Sequence, residues 1–552
     1  MITRFAGYHT REVGTVTRLA GRRCLSLGPL LLLAAVPSVN LEVAFGANPC
    51  AACHPKEVEG YSHSAMAHSL RRPGKEPEGS FEHSLSGTKF TIYSDATGLW
   101  QRMVRDGDVS DYRVDYVIGS GNHASGYLVR IGDHLFQSPI CYYTRLGRYD
   151  MAPGYEENRA PDFIRAVNEE CLFCHSGKAL PIANTLNEYP SPAFAQESIS
   201  CDRCHGNPAR HLKMPLPGTI VNPARLAPAA RDSICEQCHL KGVARVPNPG
   251  KKLQDFRPGE PLEEVFAIYT VKPPTDSPRE ALKVISHVEQ LALSMCSRQS
   301  KGQLWCGTCH NPHDTSKQPA SYYRARCLSC HNGARSLAKS HPGGPTGDCV
   351  GCHMPKRNAK DGGHTVFTDH RISRHPEPEP EKEEMTVTGD LVAWRDPPPK
   401  LRERDLALAY ANSGFENGSA SQIVRGYHML TEVEKVFPDD PAVLTALGHA
   451  LLAIKQPLEA ARRFERVLEL GPDSAVDESN AGRAWMRAGN MDKATSHLEK
   501  AISLDPLLLS AAEALMQIYQ EQGDQDKAAA LSDRVREALG RSAPRESGSQ
   551  ER

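Results

Sequence analysis

One short pattern recurs seven times in this chain, Cys-x-x-Cys-His. The copies are Cys50/Cys53/His54, Cys171/Cys174/His175, Cys201/Cys204/His205, Cys235/Cys238/His239, Cys306/Cys309/His310, Cys327/Cys330/His331 and Cys349/Cys352/His353. Two thiols three residues apart share one turn and can both add to the vinyl groups along one haem edge. The next residue then sits beneath the ring, where its imidazole can bind iron. Cys-x-x-Cys pairs also build zinc ribbons and disulfide frameworks, but neither needs a histidine after every pair. The spacing therefore points to seven covalently bound haem c groups, held by the fourteen cysteines with the seven motif histidines as iron ligands.

Each iron can take a second axial ligand, and histidines outside the motifs are in excess. His63, His68, His211, His287, His313, His341, His364 and His370 are the candidates placed best by context. His211 and His313 follow their own motifs too closely to reach the far face of the same ring, so they suit a neighbouring haem. His83, His123, His134 and His375 read as surface or turn histidines, and Met66 and Met354 as thioethers more often found in a core. Ligation by two histidines closes an iron to substrate and lowers its potential. No catalytic residue is assigned.

Covalent haem attachment belongs outside the cytoplasm, and the N-terminus fits. Arg4, Arg11, Arg18, Arg22 and Arg23 precede the apolar run Leu25–Val36, and small residues Ala44 and Gly46 follow. Residues 1–46 read as a signal peptide, implying a periplasmic or otherwise extracytoplasmic protein. The alternative is an uncleaved membrane anchor, for which the run is short. After cleavage no transmembrane segment is expected. Cys141 and Cys296 lie outside the motifs and are either a disulfide or two free thiols.

These groups need elements to position them. Residues 47–375 hold every motif and carry a net +6, which offsets haem propionates. Within them, Lys89–Tyr93 and Tyr127–Ile131 alternate, and Gly132-Asp133 turns the chain into Leu135-Phe136, so a small antiparallel β insertion is expected at about 81–150. Residues 376–400, rich in Pro and Glu, read as an extended linker. From 401 to 542 the chain repeats every 34 residues: Pro438, Pro472 and Pro506; Ala460, Ala494 and Ala528; Gly448 and Gly482; Gly489 and Gly523. That period matches tetratricopeptide repeats, with units near 407–440, 441–474, 475–508 and 509–542, although a plain helical bundle is the alternative. Residues 543–552 read as a disordered tail. The expected fold class is mainly α: a haem-packed cytochrome c domain with a small antiparallel β insertion, then an α-solenoid. The net charge of −1 offers no nucleic-acid footprint.

Cys201–Gly206 with His211, Trp305–His313, and Asp348–Pro355 with Thr368–His370 resemble segments of the doubled-CxxCH multihaem cytochromes c. That is the group around the tetrahaem cytochrome of nitrifying bacteria, and many of its members are fused to tetratricopeptide repeats. The resemblance implies an exported heptahaem cytochrome that transfers electrons through closely packed, mostly bis-His haems. Redox proteins would be its partners, and the repeats would dock a protein or peptide. An alternative is a multihaem oxidoreductase acting on a small nitrogen or sulfur compound, and a third reading is a scaffold working through its repeats. Against catalysis, all seven motifs end in His, whereas the related nitrite reductases use Lys at the active haem.

Overall fold

The computed structural model describes residues 48–272, 282–314, 318–331, 347–374 and 389–539. The signal segment, His341, His375, most of the Pro/Glu-rich stretch and the tail lie outside the described residues.

The largest element is a nine-stranded antiparallel sheet: β1 (Leu70–Arg71), β2 (Gly79–His83), β3 (Thr88–Asp95), β4 (Gly98–Arg105), β5 (Asp108–Ile118), β6 (Ala124–Ile131), β7 (His134–Tyr143), β8 (Arg148–Met151) and β9 (Arg165–Ala166). β2 to β8 pair in sequence order, while β1 adds to β5 and β9 to β7. The two ends of this path approach each other. The Tyr149 ring covers Gly79, where a Cβ would come within 3.1 Å, and the Tyr149 hydroxyl donates to the Pro77 carbonyl at 2.6 Å. The sheet therefore nearly closes on itself.

The expected mainly α domain with a small β insertion is corrected by this sheet, which spans Leu70 to Ala166 and organises the N-terminal half. The physical reason lies in its burial. Successive residues of a strand point to opposite faces, and here both faces of the central strands are covered. Val117, Val129 and Phe136 enter one core with Phe90, Ile92 and Tyr127. Their neighbours Tyr116, Leu128 and Leu135 enter another with Leu70, Leu172 and Tyr189. A strand covered on both sides loses the alternation by which strands are read. Gln101, buried in β4 and accepting from Ser138 Oγ at 2.6 Å, breaks the pattern further.

Among the described residues, short helices carry or flank the motifs: α1 (Pro55–Ser62), α2 (Glu169–His175), α3 (Asp202–His205), α4 (Ala209–Lys213), α5 (Pro228–His239), α6 (His287–Leu293), α7 (Met295–Gln299), α8 (Cys306–Cys309), α9 (Ala320–Leu328) and α10 (Cys349–His353). The stretch read as a linker is folded from Leu391 onward. Leu391–Ala393 pairs with strand Phe266–Val271, and Arg395 pairs with buried Glu236 and with Glu263.

Four helix pairs follow among the described residues: α11 (Arg402–Asn417) with α12 (Ala420–Glu434), α13 (Pro441–Ala453) with α14 (Pro457–Leu470), α15 (Ala475–Arg487) with α16 (Met491–Leu504), and α17 (Leu509–Gln522) with α18 (Gln525–Ala538). Helices start on side-chain caps, with Asp440, Ser474, Asn490 and Asp524 accepting backbone N–H groups. Small residues let the pairs close: Ala460 and Ala494 are fully buried, and a Cβ on Gly448 would meet the Phe464 ring at 2.7 Å. The last pair returns to the sheet. Leu507 joins the sheet's core, and Asp505, fully buried, accepts from His134 Nε2 of β7 at 2.9 Å.

Candidate haem-binding chamber

The motifs share a local geometry. In the first, third, fifth and sixth, the histidine N–H donates to the carbonyl of the leading cysteine at 2.8–2.9 Å. This one helical turn sets two thiols and an imidazole on one side of the chain. The second and seventh motifs start on side-chain caps: Asn168 accepts from Cys171 N, and Asp348 from Val350 N.

All fourteen motif cysteines and all seven motif histidines line one continuous chamber of about 4340 Å³. Ordinary small-molecule sites reach only about 1,000 Å³. Thiols from different motifs lie side by side on its wall: Cys50 with Cys201, Cys174 with Cys238, Cys235 with Cys306, and Cys327 with Cys349. The motif cysteines and Cys141 and Cys296 are unpaired, so no disulfide joins the two extra thiols. Cys141 is buried in β7, while Cys296 lies on α7.

Four motif histidines face a second imidazole. His54 and His211 have ring centroids 6.4 Å apart and planes 24° apart, and His205 and His313 are at 5.8 Å and 15°. His310 and His370 are at 6.2 Å and 35°, His239 and His287 at 5.9 Å and 86°. A metal bound by both rings needs two bonds of about 2 Å and two ring radii of about 1 Å, or roughly 6 Å in all. Each facing ring comes from a different part of the chain from its partner, as the sequence reading of His211 and His313 requires.

Tautomers follow from the outer partners. His205 Nδ1 meets the Val221 carbonyl at 2.8 Å, and His370 Nδ1 meets the Thr368 carbonyl at 2.9 Å. A carbonyl only accepts, so Nδ1 holds the proton and Nε2 carries the lone pair that binds metals. Burial holds His175, His239, His310, His313 and His370 below the usual imidazole range. Burial, reinforced by His370, pushes His287 down to about 3. Neutral imidazole is the form that ligates.

The other candidates divide. His63 lines the chamber, and so do His123, whose ring lies 4.3 Å from that of Phe367, and both Met66 and Met354. His68 ends a short 3-10 turn and is absent from the chamber wall. His364 instead meets Asp150 at 3.2 Å and the edge of Tyr143. His83 bonds Ser86 and the Glu156 carbonyl, and His134 is committed to Asp505. Sequence alone could not separate His211 from His68, because each follows a motif histidine, by six and fourteen residues, with nothing to show which ring it meets.

The donor set fits haem. Two orphaned buried guanidinium nitrogens on the chamber wall, Arg203 Nε and Arg245 Nε, suit carboxylates such as propionates. By contrast, no three His, Cys, Asp or Glu side chains converge on a common ion among the described residues. The protein alone therefore forms no metal site there, and a general metal-binding description is corrected to that extent.

No family model matches the chain. A human FK506-binding protein-like protein is 30% identical over 139 residues, which is 25% of this chain and 39% of that protein. The chain thus spans about two fifths of that relative. Among solved structures, "MamA MSR-1 C2" is 23% identical over 25% of this chain and 78% of its own, with a TM-score of 0.23. "Crystal structure of MamA protein" is 18% identical over 28% and 91%, with a TM-score of 0.21. These matches overlap about a quarter of the chain and place it in no family. The expected membership of the doubled-CxxCH cytochromes, and the cytochrome-family description that went with it, are corrected: no family model carries them, and the large sheet was not part of that expectation. A motif of five residues specifies local chemistry, not the fold around it. What stands is a chamber walled by seven Cys-x-x-Cys-His turns, joined to helix-pair repeats of the kind that take protein partners, with no helix among the described residues long and apolar enough to cross a membrane.

Proposed function

We propose that the seven motifs each hold a covalently attached haem c and that the protein is an exported electron carrier. The observation behind this reading is the meeting of every motif cysteine and histidine on one chamber wall. Bound haem supplies an iron that changes oxidation state by one electron. The chain's own residues do the rest. The paired thiols would anchor each group, and the motif imidazoles would ligate its iron. His211, His313, His370 and His287 would supply second ligands beside His54, His205, His310 and His239, and Arg203 and Arg245 would face carboxylates. The adjacent thiols of motifs one and three, two and four, four and five, and six and seven keep neighbouring groups close, which short-range electron transfer requires. Redox proteins are the expected partners, with the repeats as a docking surface for protein or peptide. Nucleic acid is not an expected partner. The N-terminal segment would direct the chain to the periplasm.

The test is expression with a haem-attachment system, followed by pyridine haemochrome quantification and intact mass. Seven haems per chain is the expected result, falling to six for Cys201→Ala/Cys204→Ala. A chain that matures with zinc or disulfides at the motifs overturns the proposal. Fully low-spin iron favours a carrier. An iron that takes up cyanide or nitrite favours conversion of a small nitrogen or sulfur compound.

A further inference from the structure

Cys296 has no role in any attachment motif, yet it is aimed at one. Its Sγ lies 3.9 Å from Nε2 of His331, the ligating nitrogen of the sixth motif. A metal held between imidazole and thiolate needs bonds of about 2.0 and 2.3 Å, so the two atoms would stand about 4.3 Å apart on opposite sides of it, a small opening of the pair. The other cysteine outside the motifs, Cys141, is buried in β7, and neither forms a disulfide.

A second observation comes from the segment that carries Cys296. α7 follows α6 after a single residue, Ser294, whose hydroxyl caps α7 by accepting from Ser297 N at 3.0 Å. α6 presents His287 to the motif histidine His239 at 5.9 Å between ring centroids. One rigid helix–cap–helix unit thus faces two motif histidines, with an imidazole at one end and a thiol at the other. Both Cys296 and His331 lie on the chamber wall, as do Cys327 and Cys330 of the same motif.

We infer that Cys296 is the second axial ligand of the haem attached at Cys327 and Cys330, giving that iron histidine–thiolate ligation among otherwise imidazole-rich neighbours. This rests on the proposed haem attachment. A thiolate donates electron density to iron and favours its oxidised state. The sixth haem would therefore have a lower potential than a bis-His haem in the same surroundings, a step in the relay rather than a level path.

The test uses the full-length holoprotein, with haem content measured in parallel. Low-temperature electron paramagnetic resonance of the oxidised protein should show one low-spin component of narrow g spread, typical of thiolate ligation. Cys296→Ser and Cys296→Ala should lose that component alone, and Cys296→His should replace it with a bis-imidazole signal. Redox titration of Cys296→His should show one haem moved to higher potential. If seven haems are attached but the wild type lacks the thiolate component, or Cys296→Ser leaves it intact, the inference is overturned while haem attachment stands. If the motifs carry no haem, both fail together.

Discussion

At the scale of the residue, the chamber separates histidines that look alike in sequence. His211 faces His54 across a gap suited to an ion, while His68 is absent from the wall. His211→Ala should convert one low-spin iron to high-spin, and His68→Ala should leave the spectrum unchanged, both read by electron paramagnetic resonance. A second residue-scale effect concerns pH. Asp405 is fully buried beside Arg404, which also binds Asp440. Burial outweighs the arginine and pushes the Asp405 carboxyl up to about 6 from 3.8, with Oδ2 left unpartnered. Because the folded state holds this proton more tightly than the unfolded state, Asp405 costs stability as pH rises from about 4 to 6. The loss is on the order of 3 kcal/mol. Asp405→Asn should remove that dependence, so denaturant midpoints of wild type and variant should diverge over this window, with the wild type falling.

Elements carry the next set of constraints. The repeat pairs close because glycine and alanine sit where helices touch. At Gly448 a Cβ would press on the Phe464 ring at 2.7 Å, and at Gly482 on Leu498 at 2.7 Å. Gly448→Ala should cost about 1–3 kcal/mol through overpacking. Trimming the opposing ring in Gly448→Ala/Phe464→Leu should recover part of it, giving non-additive midpoints in a double-mutant cycle. Additive losses would mean that the helices do not meet there. The same 34-residue period that marks these positions made the repeats readable, since each helix pair buries the same face. The sheet carried only a partial mark: alternation at Lys89–Tyr93 and Tyr127–Ile131 announced strands, but the central strands are covered on both faces near Tyr116, Leu128 and Leu135, so the extent of the sheet was not legible.

Across the whole molecule, the repeats are not an appendage. Asp505 reaches from the end of α16 to His134 in β7, and Leu507 fills the core of the sheet. Asp505 keeps backbone N–H partners at Leu507 and Leu186, so losing His134 should cost about 1–3 kcal/mol. His134→Ala should therefore lower thermal stability and split a single calorimetric transition into separate steps for sheet and repeats. A single undisturbed transition would show that the contact does not couple them. Removing 401–552 would also uncover this part of the core, so loss of the repeats is expected to disturb the haem region as well as any docking.

The sequence by itself determined where two thiols and an imidazole converge, because five residues need only one helical turn to bring them together. It also determined the repeat units, since a fixed period places small residues at each contact. Only the tertiary structure decided the rest. Facing imidazoles are far apart in the chain, as with His310 and His370 or His239 and His287, so their pairing depends on how α5, α6, α8 and the strand before His370 pack. The contact of Cys296 was invisible for the same reason: a thiol 35 residues before His331 meets it only once α7 folds against the chamber. The size of the sheet, too, was decided by packing: local alternation announced some strands, but two cores on opposite faces of the central strands, and the additions of β1 and β9, appear only in the folded chain.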